Sequence, residues 1–299
     1  MPQNILKNKS SQIDLSVYIK SFLLLMKPRV MSLVLFTAMV GLLVAPVTVS
    51  FTTASLSLLA VAIGSGAAGA LNMWYESDVD AIMSRTCLRP IPTGKVKREQ
   101  ALLFGIILSF ISIVMLYLSS NLISALLLAA TISFYFFIYT IWLKRKTAQN
   151  IVIGGAAGAL PPVIGWAIAM NNISIESVIM FLIIFIWTPS HFWALSLYKF
   201  KDYEKAKIPM LPITAGIKKT KLNILLYAIL MLPVVVVPFF IGFGSIIYLV
   251  LSLGMTIYYI NLCYLLFKTK VVFKSNLIAR KVFVYSIFYL FFLFLLILF

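Results

Sequence analysis

Apolar residues along this chain arrive in unbroken runs of roughly 18 to 25, the length that crosses a ~30 Å hydrocarbon core as an α-helix. Short polar segments separate the runs, which predict spans at 29–47, 52–73, 100–118, 121–143, 150–170, 175–198, 222–242, 244–267 and 282–299. Tight polar or glycine-bearing turns mark two of the breaks, Ser119 to Asn121 and Gly242 to Ser245. The short alternating segments of a membrane β-barrel are absent. The pattern reads as an all-α polytopic membrane protein with nine transmembrane helices. It forms a single domain over residues 1–299, in which 1–25 are a cytoplasmic amino-terminal segment.

Composition sharpens this picture. Hydrophobic residues make up 62% of the 299 and charged residues 11%, less than half the ~25% of a soluble domain. Nine spans place the termini on opposite sides of the membrane. Every basic residue then falls on the amino-terminal face. Lys7, Lys9, Lys20, Lys27 and Arg29 precede or begin the first span; Arg85, Arg89, Lys95, Lys97 and Arg98 follow the second. Lys144 to Lys146 follow the fourth, seven lysines from Lys199 to Lys221 the sixth, and Lys268 to Lys281 the eighth. The positive-inside rule makes that face cytoplasmic and the carboxyl end external. The net charge of +17 is thus topological, drawn to anionic lipid of the bilayer, and implies no nucleic-acid partner. The first 20 residues lack the apolar core of a cleavable signal. They carry Asp14 and no arginine, unlike a mitochondrial transit peptide, so a bacterial plasma membrane is the expected location. A single histidine excludes a Cys/His zinc site. The spans hold almost no ionisable residues, which argues against a transporter pathway.

Acidic residues are scarce, eight in all, and cluster at Glu76, Asp78 and Asp80 and again at Asp202 and Glu204. Asn72, Glu76 and Asp80 stand at i, i+4 and i+8, one side of a continuing helix. Like charges so stacked repel, and a hard divalent cation such as Mg2+ relieves that. Mg2+ takes one or two carboxylates, with water and phosphate oxygens. Asp78 lies about half a turn away and joins such a site only if the helix bends. A basic Pro/Gly loop with Arg85, Arg89 and Lys95 follows; arginine clamps phosphate bidentately. Acids for a metal beside bases for phosphate suit a diphosphate. Solvated helix ends and positive-inside decoration are the bland alternatives, and they suffice for Lys97 and Arg98.

Asn72-x-x-x-Glu76-x-x-x-Asp80 resembles the N-x-x-x-D-x-x-x-D signature of the intramembrane polyprenyl-diphosphate transferases related to 4-hydroxybenzoate prenyltransferase, with Glu for Asp at 76. Several segments resemble the protoheme farnesyltransferase branch of that superfamily. They are Lys27-Pro-Arg-Val30, Arg85-Thr-x-x-Arg-Pro-Ile-Pro92, Gly155 to Trp166, Thr188-Pro-Ser-His-Phe-Trp193, Asp202-Tyr203 and Ile208 to Pro212. The second acidic motif is reduced to Asp202, since Ala206 stands four residues on. The resemblance implies nine helices around a central cavity capped by both acidic motifs. It also implies transfer of a farnesyl group from farnesyl diphosphate to the 2-vinyl group of haem b, the substrate, with Mg2+ as cofactor. Asn72, Glu76, Asp80 and Asp202 would hold the metal with Asp78 in support, while Arg85, Arg89 and Lys199 would neutralise the diphosphate. His191, Lys27 and Arg29 are haem-contact candidates, each with an ordinary structural alternative. Trp74, Tyr75, Trp187, Phe192 and Trp193 would line an apolar chamber or anchor the helices at the interface. A haem A synthase or terminal oxidase is an implied partner for the product. A quinone precursor or chlorophyllide as acceptor, and a non-catalytic haem carrier, are the competing readings.

Overall fold

In lipid every backbone N–H and C=O must be bonded within the chain, so runs of this length fold as helices. The computed structural model describes residues 15–299 and contains helices and no strand among them; Lys7, Lys9 and Asp14 lie outside the described residues. Helix α1 (Leu15–Leu25) meets α2 (Pro28–Leu43) at 49°. Pro28 is the cause. It donates no backbone hydrogen bond and excludes the preceding residue from the right-handed helical region, and Lys27 takes φ 53° instead.

Helix α3 (Phe51–Tyr75) is capped by Ser50, whose side chain accepts from the Thr53 N–H. It is followed, after an interruption at Glu76 alone, by α4 (Ser77–Ile82). Hydrogen bonds from Glu76 N to Asn72 O (3.0 Å) and from Asp80 N to Glu76 O (2.8 Å) carry the four-residue repeat through the interruption. Helix α5 (Arg98–Ser119) returns, and α6 (Leu122–Ser133) continues without a break into a π-helical stretch, Phe134–Leu143. Helices α7 (Asn150–Ala159) and α8 (Pro161–Met170) form one span, divided where Pro161 begins a new helix. Then come α9 (Ile175–Tyr198), the short α10 (Phe200–Lys205) and α11 (Leu211–Thr214), and the long α12 (Ile217–Phe240), α13 (Ile246–Lys268) and α14 (Val272–Leu296). Among the described residues eight of these spans are long and apolar enough to cross a bilayer, and the bent α1–α2 pair brings the number to nine where it is counted as one span.

Three boundaries differ from the sequence reading. Helix α14 begins at Val272 rather than 282, and α12 at Ile217 rather than 222, so Lys274, Arg280, Lys218 and Lys221 lie on helices. A hydropathy window stops at charge, whereas Lys and Arg are good helix formers whose stems can lie along apolar surface. Lys221 shows the advantage: its Nζ caps α13 by donating to the Thr269 carbonyl at 2.7 Å. Helix α1 occupies part of the segment 1–25 expected to precede the first span, and is pinned where Gln100 donates to the Tyr18 hydroxyl at 2.9 Å.

Without a hydrophobic force between helices in lipid, close approach of backbones holds the bundle. The tightest crossing is α2 on α8. A Cβ on Gly41 would strike the backbone of Pro162, and one on Gly165 the Ala38 carbonyl, whereas a Cβ on Gly158 would meet nothing within 4 Å. Helix propensity alone favours alanine over glycine by about 1 kcal/mol. Gly165→Ala should nevertheless lower the thermal midpoint in detergent, because overpacking costs about 1 to 3 kcal/mol. Gly158→Ala should leave the midpoint unchanged or raise it. Equal midpoints for the two variants would show that the crossing relaxes freely.

Candidate active site

Asn72, Glu76 and Asp80 are each 2% exposed, so the four-residue repeat does place all three on a buried side. Burial of charge demands partners, and each of the three side chains has a cation. Lys27 Nζ donates to Asn72 Oδ1 at 2.5 Å. Lys144 Nζ donates to Glu76 Oε2 at 2.5 Å, and Arg89 donates to Asp80 Oδ2 at 2.6 Å. The Asn72 amide also donates to Thr140 Oγ1 at 3.0 Å.

The backbone irregularities of the fold are what assemble this cluster. The break before Pro28 lifts Lys27 onto α3. The π-helix closes i→i+5 turns, seen where Lys144 N bonds Tyr139 O and Thr140 Oγ1 donates to Tyr135 O, both at 2.9 Å. Tyr135, Thr140 and Lys144 therefore recur at spacings of four to five residues along one side, an arrangement typical of functional positions. The Arg89 loop is tied back where Thr86 Oγ1 donates to the Asp80 carbonyl at 3.0 Å.

Electrostatics follow from the pairing. Burial opposes ionisation of Glu76, but the charge and hydrogen bond of Lys144, with the charges of Lys27 and Arg89, prevail and hold its carboxyl below the ordinary value. Lys144 and Arg89 match the two carboxylates, and the Lys27 amine and the exposed Arg85 stand beside them to meet a further anion. Such a cluster is prepared for an anion.

The other expected residues divide. Asp78 is turned outward, its side chain 61% exposed, and forms a two-pronged pair with Arg145 at 2.7 and 2.9 Å. The hydrogen bonds from Arg145 hold its carboxyl low, and Arg145 also lies over the Tyr75 ring. Asp202, in the first turn of α10, accepts from Ser84 Oγ at 2.7 Å, which joins the two acidic segments. Lys199 stands between α9 and α10, half-buried, with no ion pair among the described residues. Arg29 is exposed on α2 and likewise unpaired there. His191 is buried within α9, stacked between Trp187 and Phe283 at 4.3 and 4.5 Å between centroids. Its Nδ1 lies 2.6 Å from Ser286 Oγ, whose own proton is directed to the Phe283 carbonyl. Trp187 and Trp193 are buried in the bundle and do not anchor it at the interface.

Sequence reasoning assigned Lys144 and Arg145 to topology alone and passed over Thr140, Tyr135 and Ser84. A basic residue just after a span carries no local mark that separates ion pairing from decoration.

The donors suit a metal that arrives with its ligand. Among the described residues no three acidic, histidine or cysteine side chains converge as a ready-made cage. Glu76 Oε1, buried, accepts no hydrogen bond even though Lys144 lies 2.5 Å away. One or two carboxylates with open positions match Mg2+ bound partly by phosphate oxygens and water.

Next to this cluster an apolar groove of about 130 Å3 runs inward between α2, α3, α6 with its π-helical extension, α7 and α8. Lys27 and Tyr135 stand at its head, and Val61, Leu128 and Ile164 at its far end. A charged mouth on an apolar groove, inside a polytopic helical bundle, defines a membrane enzyme acting on an amphipathic anion.

The model of the UbiA prenyltransferase family matches residues 34–287, and the chain belongs to that family. It is 61% identical over 290 residues to a protoheme IX farnesyltransferase of Pelagibacter ubique strain HTCC1062, covering 97% of this chain and 95% of that one. With a Bartonella henselae protein of the same name it shares 50% identity, covering 95% and 90%. Among solved structures, digeranylgeranylglyceryl phosphate synthase aligns with a TM-score of 0.78 at 20% identity, covering 94% of this chain and 97% of that one. A UbiA homologue from Archaeoglobus fulgidus bound to GPP and Mg2+ aligns at 0.68 and 16% identity, covering 90% and 99%. At those identities the structures speak for the fold.

Removing one member of a buried pair costs about 3 to 5 kcal/mol. Lys144→Met should therefore lower the thermal midpoint, and adding Glu76→Gln should restore most of it. Because the Glu76 carboxyl is held low, the pair's contribution is present above the ordinary carboxylate value and fades only as pH falls through the lowered one. Thermal melts of the parent, both single variants and the double variant from about pH 2 to pH 8 test the pair. Additive losses in the double variant would mean that Lys144 does not hold Glu76.

Proposed function

We propose that this chain transfers the farnesyl group of farnesyl diphosphate to the 2-vinyl group of haem b, leaving a hydroxyethylfarnesyl side chain. We place it in a bacterial plasma membrane, amino terminus in the cytoplasm and carboxyl terminus outside. The observation that carries the reading is the cation-rich, buried Asn72–Glu76–Asp80 cluster at the head of an apolar groove. Near-full-length similarity to proteins named for that reaction supports it.

Asn72, Glu76, Asp80 and Asp202 would hold Mg2+, which when bound neutralises diphosphate charge and aids its departure. Asp78 takes a supporting part, fixing Arg145 beside Tyr75 at the same loop. Lys144 and Arg89 stand on Glu76 and Asp80 as counterions, with Lys27 on Asn72, and would be free to meet phosphate oxygens if a metal took the carboxylates. Arg85 and Lys199 contribute from the rim. Charge placed where charge develops is the largest lever for breaking the allylic carbon–oxygen bond.

The groove holds the apolar tail and keeps water from the allylic cation, with the Tyr135 ring at the junction to face that cation. Carbon–carbon bond formation with the vinyl group then moves the positive charge onto haem's side chain. Capture by water, with loss of a proton, completes the product. His191 would offer a ring nitrogen to haem iron, its Nδ1 held 2.6 Å from Ser286 Oγ. Lys27 and Arg29 are the basic groups nearest the first span for propionates. The product's recipient would be a haem A synthase or terminal oxidase.

Purified protein in lipid, given haem b, farnesyl diphosphate and Mg2+, should yield a pigment heavier by one farnesyl and one hydroxyl group, and chelation should abolish it. Asp80→Asn should lose activity by at least about a hundredfold, the scale of a lost electrostatic contact in the transition state, while inserting normally. An unmodified haem alongside a prenylated aromatic acceptor would overturn the haem assignment. His191→Ala with an unaltered Soret band on haem binding would remove His191 from the iron.

A further inference from the structure

At the end of the bundle opposite the acidic cluster, α2, α12 and α14 finish around a second cavity, of about 420 Å3. Val44 stands in its wall at the end of α2, Gly242 at the end of α12 and Ile297 at the end of α14. The last turn of a helix leaves carbonyls without an intrahelical partner and carries the negative end of the helix dipole. At α2 the sequence prevents repair, because Pro46 has no N–H to offer the Leu42 carbonyl. Glu176 lines the same cavity, half-buried in the first turn of α9. It complements the dipole of its own helix, yet it shares the cavity with three negative helix ends. Among the described residues no cation answers this charge. The connections at this end, 44–50, 120–121, 171–174 and 241–245, hold no lysine, arginine or histidine, and Glu176 forms no ion pair.

We propose that this cavity receives one arginine side chain from a partner membrane protein, at the external face in the topology proposed above. A guanidinium presents five N–H donors in one plane, so a single group can serve carbonyls of several helix ends and the Glu176 carboxylate together. Trp166, also in the wall, is the residue type on which a guanidinium stacks best. A divalent metal is a poor fit, because one carboxylate in so wide a space makes no coordination sphere. A phospholipid ammonium brings a phosphate with it, and nothing basic stands at this end to meet that phosphate. The rim is apolar, with Leu43 60% and Ile241 39% exposed, so the cation arrives on an apolar body, as at the end of a membrane span. The site is independent of the chemistry at Asn72 to Asp80.

The probe is a synthetic single-span leucine–alanine peptide with one arginine at its outer end. It is reconstituted with the full chain in phosphatidylcholine bilayers, and association is read by energy transfer. The arginine peptide should associate at least about tenfold more tightly than its glutamine counterpart, the scale of one charge-assisted hydrogen bond. Glu176→Gln should erase that difference while the thermal midpoint and transfer activity keep the parent's values. Val44→Trp, which fills the cavity without altering its charge, should erase it too. Equal association of the two peptides with the parent, or an arginine preference that survives in Glu176→Gln, would overturn the proposal. Displacement of the peptide by equimolar N-acetylarginine methylamide or Ca2+ would assign the cavity to a soluble cation and overturn the partner. Loss of transfer activity in Glu176→Gln would make Glu176 part of the reaction and sink the docking role.

Discussion

Two carboxylates buried at the end of a membrane helix are the constraint on which this architecture turns. Glu76 and Asp80 are almost inaccessible, and a buried charge without a partner costs several kcal/mol. Their partners come from different parts of the chain: Lys144 from the end of the fourth span and Arg89 from the loop after α4, with Lys27 added on Asn72 from the α1–α2 break. The charges therefore stitch together segments that short, polar connections would otherwise leave loosely related. A well-packed apolar cluster would hold these helix ends at least as firmly, because buried ion pairs contribute little net stability. Stability does not account for the cluster.

The same cluster explains why the helices depart from regularity where they do. Lys27 needs the left-handed backbone before Pro28, and Glu76 interrupts α3 without losing the hydrogen-bonded repeat. Thr140 and Lys144 need the wider turn of the π-helix to reach α3. Backbone irregularity of this kind carries a cost and persists where surrounding structure over-determines it. Here the surroundings are the glycines of α3: a Cβ on Gly69 would stand 3.2 Å from the Leu25 carbonyl and 3.5 Å from Lys27 Cδ, so α3 packs directly against the break.

Much of this was legible in the chain itself, for physical reasons. Hydropathy reports transfer into lipid, so the spans could be counted. A four-residue period reports a helix face, so Asn72, Glu76 and Asp80 could be grouped. Less legible was everything decided by partners distant in sequence. Lys144 and Arg145 share a short basic run, yet one enters the cluster and the other draws Asp78 away from it. Nothing in that run distinguishes them, because the selection is made by the π-helical register. Helix starts were misplaced at Lys218 and Lys274 because hydropathy scores side-chain charge, whereas helix formation depends on the backbone.

The position of the chemistry follows from the substrate as much as from the protein. A prenyl diphosphate has a head that must stay near water and cations, and a tail that is most stable in hydrocarbon. Any site that holds both must sit where a helix leaves the apolar core, and Asn72 to Asp80 occupy that place. At the boundary the effective dielectric is low enough for a cation to act strongly on a leaving group, yet near enough to water for the ions to exchange. Deeper in the bundle the acids would not remain ionised without a permanent partner, and further out they would be screened by salt and solvent. The cation-paired cluster at the mouth of an apolar groove meets both requirements, because Lys144 and Arg89 pair its carboxylates where apolar walls begin.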